Sequence, residues 1–153
     1  MKHARQTRGV TLIELVVAVA VLGILASVAM PLAQVTAVRT REIELRRDLR
    51  QMRDGIDRFK AEYDKAKSNV RDAREDFKKL VSADRSGYPL DLNELVKTKI
   101  LRRVPSDPLS GTKWVTRSFT DDPESSLSDG KDVFDVLSAS PSVGLDGTRY
   151  DTW

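Results

Sequence analysis

Glu14 stands near the front of "TRGVTLIELVVAVAVLGILASVAMP", residues 7–31, where almost every following neighbour is apolar. An ionised side chain in hydrocarbon is costly and normally marks a function with a partner charge. The chemistry to expect of Glu14 is therefore ion pairing, against the plainer reading of an acid resting at the level of lipid headgroups. Catalytic chemistry has little to work with. The sole histidine is His3, and there is no cysteine, which excludes a disulfide staple, a thiolate metal site and any Ser/His/Asp or Cys/His arrangement within the rest of the chain. No G-x-x-x-x-G-K-[ST] spacing occurs, and the DG pairs at Asp129 and Asp146 lack the EF-hand ligand pattern. Asp121 and Asp122 are sequence neighbours on an expected loop, with no apolar pocket discernible to raise a carboxyl pKa. No enzyme is expected.

The element that must carry Glu14 is plain from composition. Residues 15–38 hold no charged side chain over 24 positions, with Ser27, Gln34 and Thr36 the only strongly polar members. As a helix this run is roughly 36 Å long, enough to cross a hydrocarbon core of about 30 Å. Lys2, Arg5 and Arg8 precede it and account for the whole net charge of +3, so the basic isoelectric point belongs to a targeting leader rather than to a nucleic-acid surface. Two simpler fates of the run stand beside a specialised one. Cleavage after "SVA", residues 27–29, would make it a secretory signal peptide, and retention without processing would make it a generic single-pass anchor.

Gly9 is followed by "VTLIE", which puts Glu14 fifth after the glycine and Pro31 twenty-second. This order resembles the prepilin leader, the class III signal of type IV pilins and type II secretion pseudopilins. The resemblance implies cleavage after Gly9 by a membrane prepilin peptidase on the cytoplasmic side, methylation of the new N-terminus at Val10, and retention of the apolar segment. It also implies that Glu14 pairs with the Val10 amine, its own or a neighbouring subunit's, when the helices bundle along a fibre, and that Pro31 is the family's helix proline. An ion pair buried in this way argues for register more than for stability.

Beyond the run the chain is dense in charge. Residues 39–80 carry 14 Lys and Arg against 10 Asp and Glu, with Gly55 the only glycine and no proline. A long helix is expected there, with Leu45, Leu49, Met52, Ile56, Phe59, Tyr63, Ala66, Val70, Ala73, Phe77 and Leu80 forming a stripe whose steps alternate four and three. Such regularity suits a coiled-coil membrane scaffold, or an amphipathic helix lying on the chain's own small sheet, which is the preferred reading for residues 45–63. Residues 66–80 read either way, as a continuation of that helix or, in "KSNVRD", as the end of one helix and the start of another with Asn69 as N-cap and Asp72 three residues on.

The remaining residues, 81–153, are mildly acidic, with 9 basic and 12 acidic side chains. "PLDLNELVKTKIL" predicts a short helix whose face combines Leu90, Leu92, Leu95, Val96 and Leu101, and "KWVTRSFT" and "DVFDVLS" predict two strands separated by the loop "DDPESSLSDGK". A head of roughly 73 residues is small for a core of its own and is expected to borrow the apolar face of the long helix. The fold class is thus α+β: a long N-terminal helix with a small antiparallel-sheet head. Four regions follow: a leader at 1–9, a transmembrane and filament-core helix at 10–38, a charged helical region at 39–80 and the head at 81–153.

"IDRFKAEYD", "GYPLDLNELV", "ILRRVPSDPLSGTKW", "DVLSAS" and "LDGTRYDTW" further resemble blocks of the major pseudopilin of type II secretion, with residues 65–85 looking like an insertion. The missing cysteines agree, because many type IV pilins close a C-terminal loop with a disulfide whereas the major pseudopilin uses calcium. Here the acidic, glycine-rich ending of that family is replaced by "SASPSVGLDGTRYDTW", and Asp135, Asp146 and Asp151 are the candidate calcium ligands, with surface turns an equal explanation. Taken whole, the resemblance implies a pilin-like subunit of a short secretion fibre, single-pass in a bacterial inner membrane with a periplasmic head. Its partners would be the prepilin peptidase, other copies of itself, minor pseudopilins, and an inner-membrane assembly platform with its ATPase, and not nucleic acid. A type IV pilin or minor pilin shares the same leader.

Overall fold

The computed structural model describes residues 9–111, 113–122, 125 and 127–153. The leader side chains Lys2, His3, Arg5 and Arg8 lie outside the described residues. The chain divides into two compact units, Met1–Arg39 and Thr40–Trp153, the division falling within helix α1, Leu12–Lys67.

In the first unit the described residues are helical from Leu12 onward, and their apolar side chains are exposed: Leu12 is 81% exposed and Ile24 and Val28 are 68% exposed. The helix continues through Pro31, although the imide has no N–H to give the carbonyl of Ser27. Ser27 Oγ and Thr36 Oγ1 turn back onto the carbonyls of Ile24 and Leu32 at 2.7 and 2.9 Å, which satisfies both hydroxyls inside the helix, as a segment in lipid requires.

In the second unit the expected stripe is the spine of the core. Leu45, Leu49, Met52, Ile56, Phe59, Tyr63 and Ala66 are buried, joined by Ala73, Phe77, Leu95, Leu101, Trp114, Val133, Val136 and Tyr150. The stripe is covered by this chain's own residues, so the coiled-coil reading has no seam left to offer a partner helix. Gly55 lies under Leu101, where a Cβ would approach Leu101 Cγ to 3.3 Å, so the missing side chain is what lets the two segments touch.

Asn69 does not cap a second helix. It ends α1 in the left-handed conformation, φ 53°, with its N–H on the Ala66 carbonyl and the Val70 N–H on the Lys65 carbonyl. This is the paired closing pattern of a Schellman motif. The short α2, Glu75–Lys78, then follows from Arg74, Val70 is left 44% exposed, and Phe77 returns the chain to the core edge-on against Phe59, with centroids 5.0 Å apart. Residues 65–85 thus cover the far end of the stripe, tied down by Tyr63 Oη to the Ser82 carbonyl at 3.1 Å and by the paired Arg85 and Glu94.

Helix α3, Leu92–Lys97, starts at Asp91, whose carboxylate accepts the Glu94 N–H at 2.8 Å. Leu90 therefore precedes the helix and is 54% exposed, contrary to the expected shared face, while Leu95 and Leu101 are buried. A second Schellman closure ends α3 at Lys99, φ 57°. For lysine that backbone costs about 1–2 kcal/mol, against about 0.5–1 kcal/mol of extra chain entropy lost by glycine. Exposed Lys99→Gly is accordingly expected to stabilise by about 0.5 kcal/mol, raising a thermal midpoint by about 2–4 °C. Strands β1, Val115–Arg117, and β2, Asp135–Leu137, pair antiparallel with Val115 opposite Leu137, inside the two expected stretches but only three residues each.

Candidate functional site

The segment that would be processed and assembled starts outside the helix. Gly9 and Val10 are exposed and non-helical, and nothing lies within 4 Å of where a Gly9 Cβ would stand. The bond between them lies outside the helix and is solvent-exposed. Thr11 then caps α1: its Oγ1 accepts the Glu14 N–H at 3.3 Å and its carbonyl accepts the Leu15 N–H at 3.1 Å. Thr11 and Glu14 thus stand at the N-cap and N3 positions of the T-x-x-E pattern that opens helices. The role of Thr11 went unread in the sequence although that signal was present. The Glu14 carboxylate sits in the first turn, where the helix dipole favours negative charge. No ion pair to Glu14 occurs among the described residues, and it stands at the start of a helix whose residues through Val38 are all exposed.

Pro31, expected to share the assembly role, lies within α1 and is exposed like its neighbours. The structure gives it no side-chain contact with Glu14, seventeen residues earlier. Both residues are set by the one helix, and by length and composition this is the single described helix able to cross a membrane.

The three candidate calcium ligands are not brought together. Asp135 Oδ1 meets Arg53 Nε at 2.7 Å, Asp146 Oδ2 meets Arg46 at 2.7 Å, and Asp151 Oδ1 meets Arg149 Nε at 3.0 Å. Among the described residues no group of three or more His, Cys, Asp or Glu is placed to share a metal ion. Hydrogen bonds from the Thr148 hydroxyl and N–H, with Arg46 adding its charge, hold the Asp146 carboxyl below its ordinary pKa. Asp121 and Asp122 lie in the β1–β2 connection, where Asp121 accepts the N–H groups of Ser118 and Asp129. It shapes the loop.

Sequence reading missed the polar anchors of the second unit. Glu42 is only 9% exposed and accepts the Leu145 N–H at 2.7 Å and the Tyr150 hydroxyl at 2.9 Å. Asp107, 1% exposed, ties the turn before β1 to the end of β2 through Ser138.

Residues 4–30 match the family model described as the prokaryotic N-terminal methylation motif. The match covers the leader junction, Thr11, Glu14 and the first part of the apolar helix, and it stops short of Pro31. The chain therefore carries a prepilin-type leader on a pilin-like α+β arrangement. No curated protein and no solved structure matches the chain.

Proposed function

We propose that this chain is a structural subunit of a type II secretion pseudopilus, cleaved after Gly9 by prepilin peptidase, methylated at Val10 and polymerised into a short fibre that drives protein export. The observation that carries the reading is the coincidence of the methylation motif at residues 4–30 with a capped, wholly exposed apolar helix that opens just after the cleavage point. A helix so bare requires lipid or other helices around it. The precursor is single-pass in a bacterial inner membrane with residues 40–153 in the periplasm, and the fibre places the same apolar surfaces against one another. Pro31 loosens the turn before it, which eases the passage of the helix between those two surroundings. The subunit performs no catalysis, and its partners are the peptidase, further copies, minor pseudopilins and the ATPase-driven assembly platform.

A type IV pilin would carry the same leader. The absence of cysteine favours the secretion fibre, because the pilin loop closed by a disulfide has no counterpart here. The deciding measurement for processing is the intact mass of the protein isolated from membranes. A chain starting at Val10 with one added methyl group is expected, whereas a chain starting at Met30 would establish ordinary signal-peptide cleavage and overturn the reading. Deleting the gene in its host then separates the two fibres: loss of protein export with surface pili intact is expected, and the reverse would make the chain a pilin.

A further inference from the structure

One face of α1 grips the C-terminal segment of the second unit at three levels, through residues 42, 46 and 53. Glu42 takes the Leu145 N–H and the Tyr150 hydroxyl, and Gly144 passes so close that a Cβ there would stand 3.0 Å from Glu42 Oε1. Arg46 pairs with Asp146 and lies over the Trp153 ring, 4.1 Å from its centroid. Arg53 gathers the most. Its Nε meets Asp135 Oδ1 at 2.7 Å, and its Nη2 donates to the main-chain oxygens of Trp153 at 2.8 Å and Val136 at 3.1 Å.

A side-chain carboxylate and two main-chain oxygens converging from separate segments are the donor types a calcium ion collects. Here they converge on a guanidinium, which is planar, permanently charged and able to serve several oxygens at once. The other two candidate carboxylates are also committed, Asp146 to Arg46 and Thr148, and Asp151 to Arg149. A divalent ion would have to displace these cations from oxygens they already neutralise. The residues present do not fit a calcium site.

We infer that Arg53, assisted by Arg46, replaces calcium in this head, so that the segment from Asp135 to Trp153 is fastened to α1 by arginine and the fold needs no metal. The inference rests on residues within 40–153 and holds whether or not the chain polymerises, so the mass measurement above bears on it in neither direction. The experiment is thermal unfolding of the full chain in non-ionic detergent, followed by near-ultraviolet circular dichroism, with millimolar calcium chloride or with EGTA. Equal midpoints, within about 1 °C, are expected, since a ligand that does not bind the native state cannot stabilise it. Arg53→Met, which keeps an apolar stem and removes the cation, is expected to lower the midpoint by about 4–8 °C or more. Calorimetric titration of the unaltered chain with calcium decides the matter even if that variant fails to fold, and no saturable heat is expected. A calcium-dependent rise of more than about 5 °C, saturable binding, or an unchanged midpoint in Arg53→Met would each overturn the inference.

Discussion

Glu14→Ala is expected to reach the membrane and lose its leader normally while forming no filaments. Removing a charge makes the apolar segment more compatible with lipid, and the Gly9–Val10 bond lies outside the helix that Glu14 opens. Assembly is a different matter under the proposed pairing, because each docked subunit would bury an ammonium without its carboxylate. Loss of one partner of a buried pair is worth more than about a hundredfold in an association equilibrium, and a fibre meets that loss at every addition. Glu14→Gln separates a place in the first turn of the helix from the proposed pairing. Glutamine serves at the third position of the T-x-x-E cap as glutamate does, so helix opening persists, yet the amide cannot balance a charge. It is expected to be nearly as damaging as alanine. Filament yield after shearing, scored beside the processed fraction by mass, reads both effects. Normal filaments from Glu14→Ala would dismiss the pairing, and accumulation of precursor would assign the acid to peptidase recognition instead.

The second large effect is expected at Asp107. Its carboxylate accepts the Leu109 N–H at 2.8 Å, the Ser110 N–H and hydroxyl at 3.2 and 2.7 Å, the Ser138 hydroxyl at 2.6 Å and the Ala139 N–H at 3.2 Å. Ser138 is itself fully buried, so its hydroxyl loses its acceptor without bulk solvent to replace it. Asp107→Ala is expected to cost about 3 kcal/mol, the penalty of stranding buried donors rather than of deleting one bond. Denaturant unfolding followed through Trp114 reports it well, since that indole is nearly buried and donates to the Pro105 carbonyl at 2.8 Å, two residues before Asp107. Burial pushes the Asp107 carboxyl up, but the Ser138 and Ser110 hydroxyls and the Leu109 and Ser110 amides outweigh it and hold the pKa below 3.8. A carboxylate lowered in the folded state lends stability that is complete above its unfolded pKa and drains away as pH falls through the folded one. Stability should therefore decline below about pH 4, and Asp107→Asn should flatten that decline. An unaltered acid limb in Asp107→Asn would place the pH sensitivity elsewhere.

What could be read in advance was what is local. The apolar run and the four-three stripe are properties of adjacent residues; the run emerged as one helix and the stripe as the core from Leu45 to Ala66, resuming at Ala73 and Phe77 with Val70 left outside. Asn69 shows the limit of such reading: asparagine suits both the start of a helix and the left-handed residue after its end, and only the packing of Phe77 back onto Phe59 selects the second. Leu90 fits a helical face by spacing, but Asp91 takes the cap and leaves it outside. The anchors are the harder lesson. Glu42, Arg46 and Arg53 look in sequence like any charged residues on a solvated helix, because the oxygens and hydrogens they serve lie some 80 to 110 positions away. Even Thr11, whose capping pattern is entirely local, was overlooked beside the acid three residues later.

The reach of Glu42 also sets an order of events at the ribosome. Its partners, Leu145 and Tyr150, follow it by 103 and 108 residues, while the apolar run that precedes it in sequence is made first. That run is complete long before the chain can close the turn at Gly144. Loops so distant must wait for their ends to meet. Until Tyr150 emerges, Glu42 lacks a partner and the buried cluster to which Tyr150 belongs is incomplete, so a chain stopped short of it keeps apolar core residues open to water and to proteases. Docking of the Gly144 turn and of Tyr150 is thus a late step, the one that closes the core at the level of Glu42.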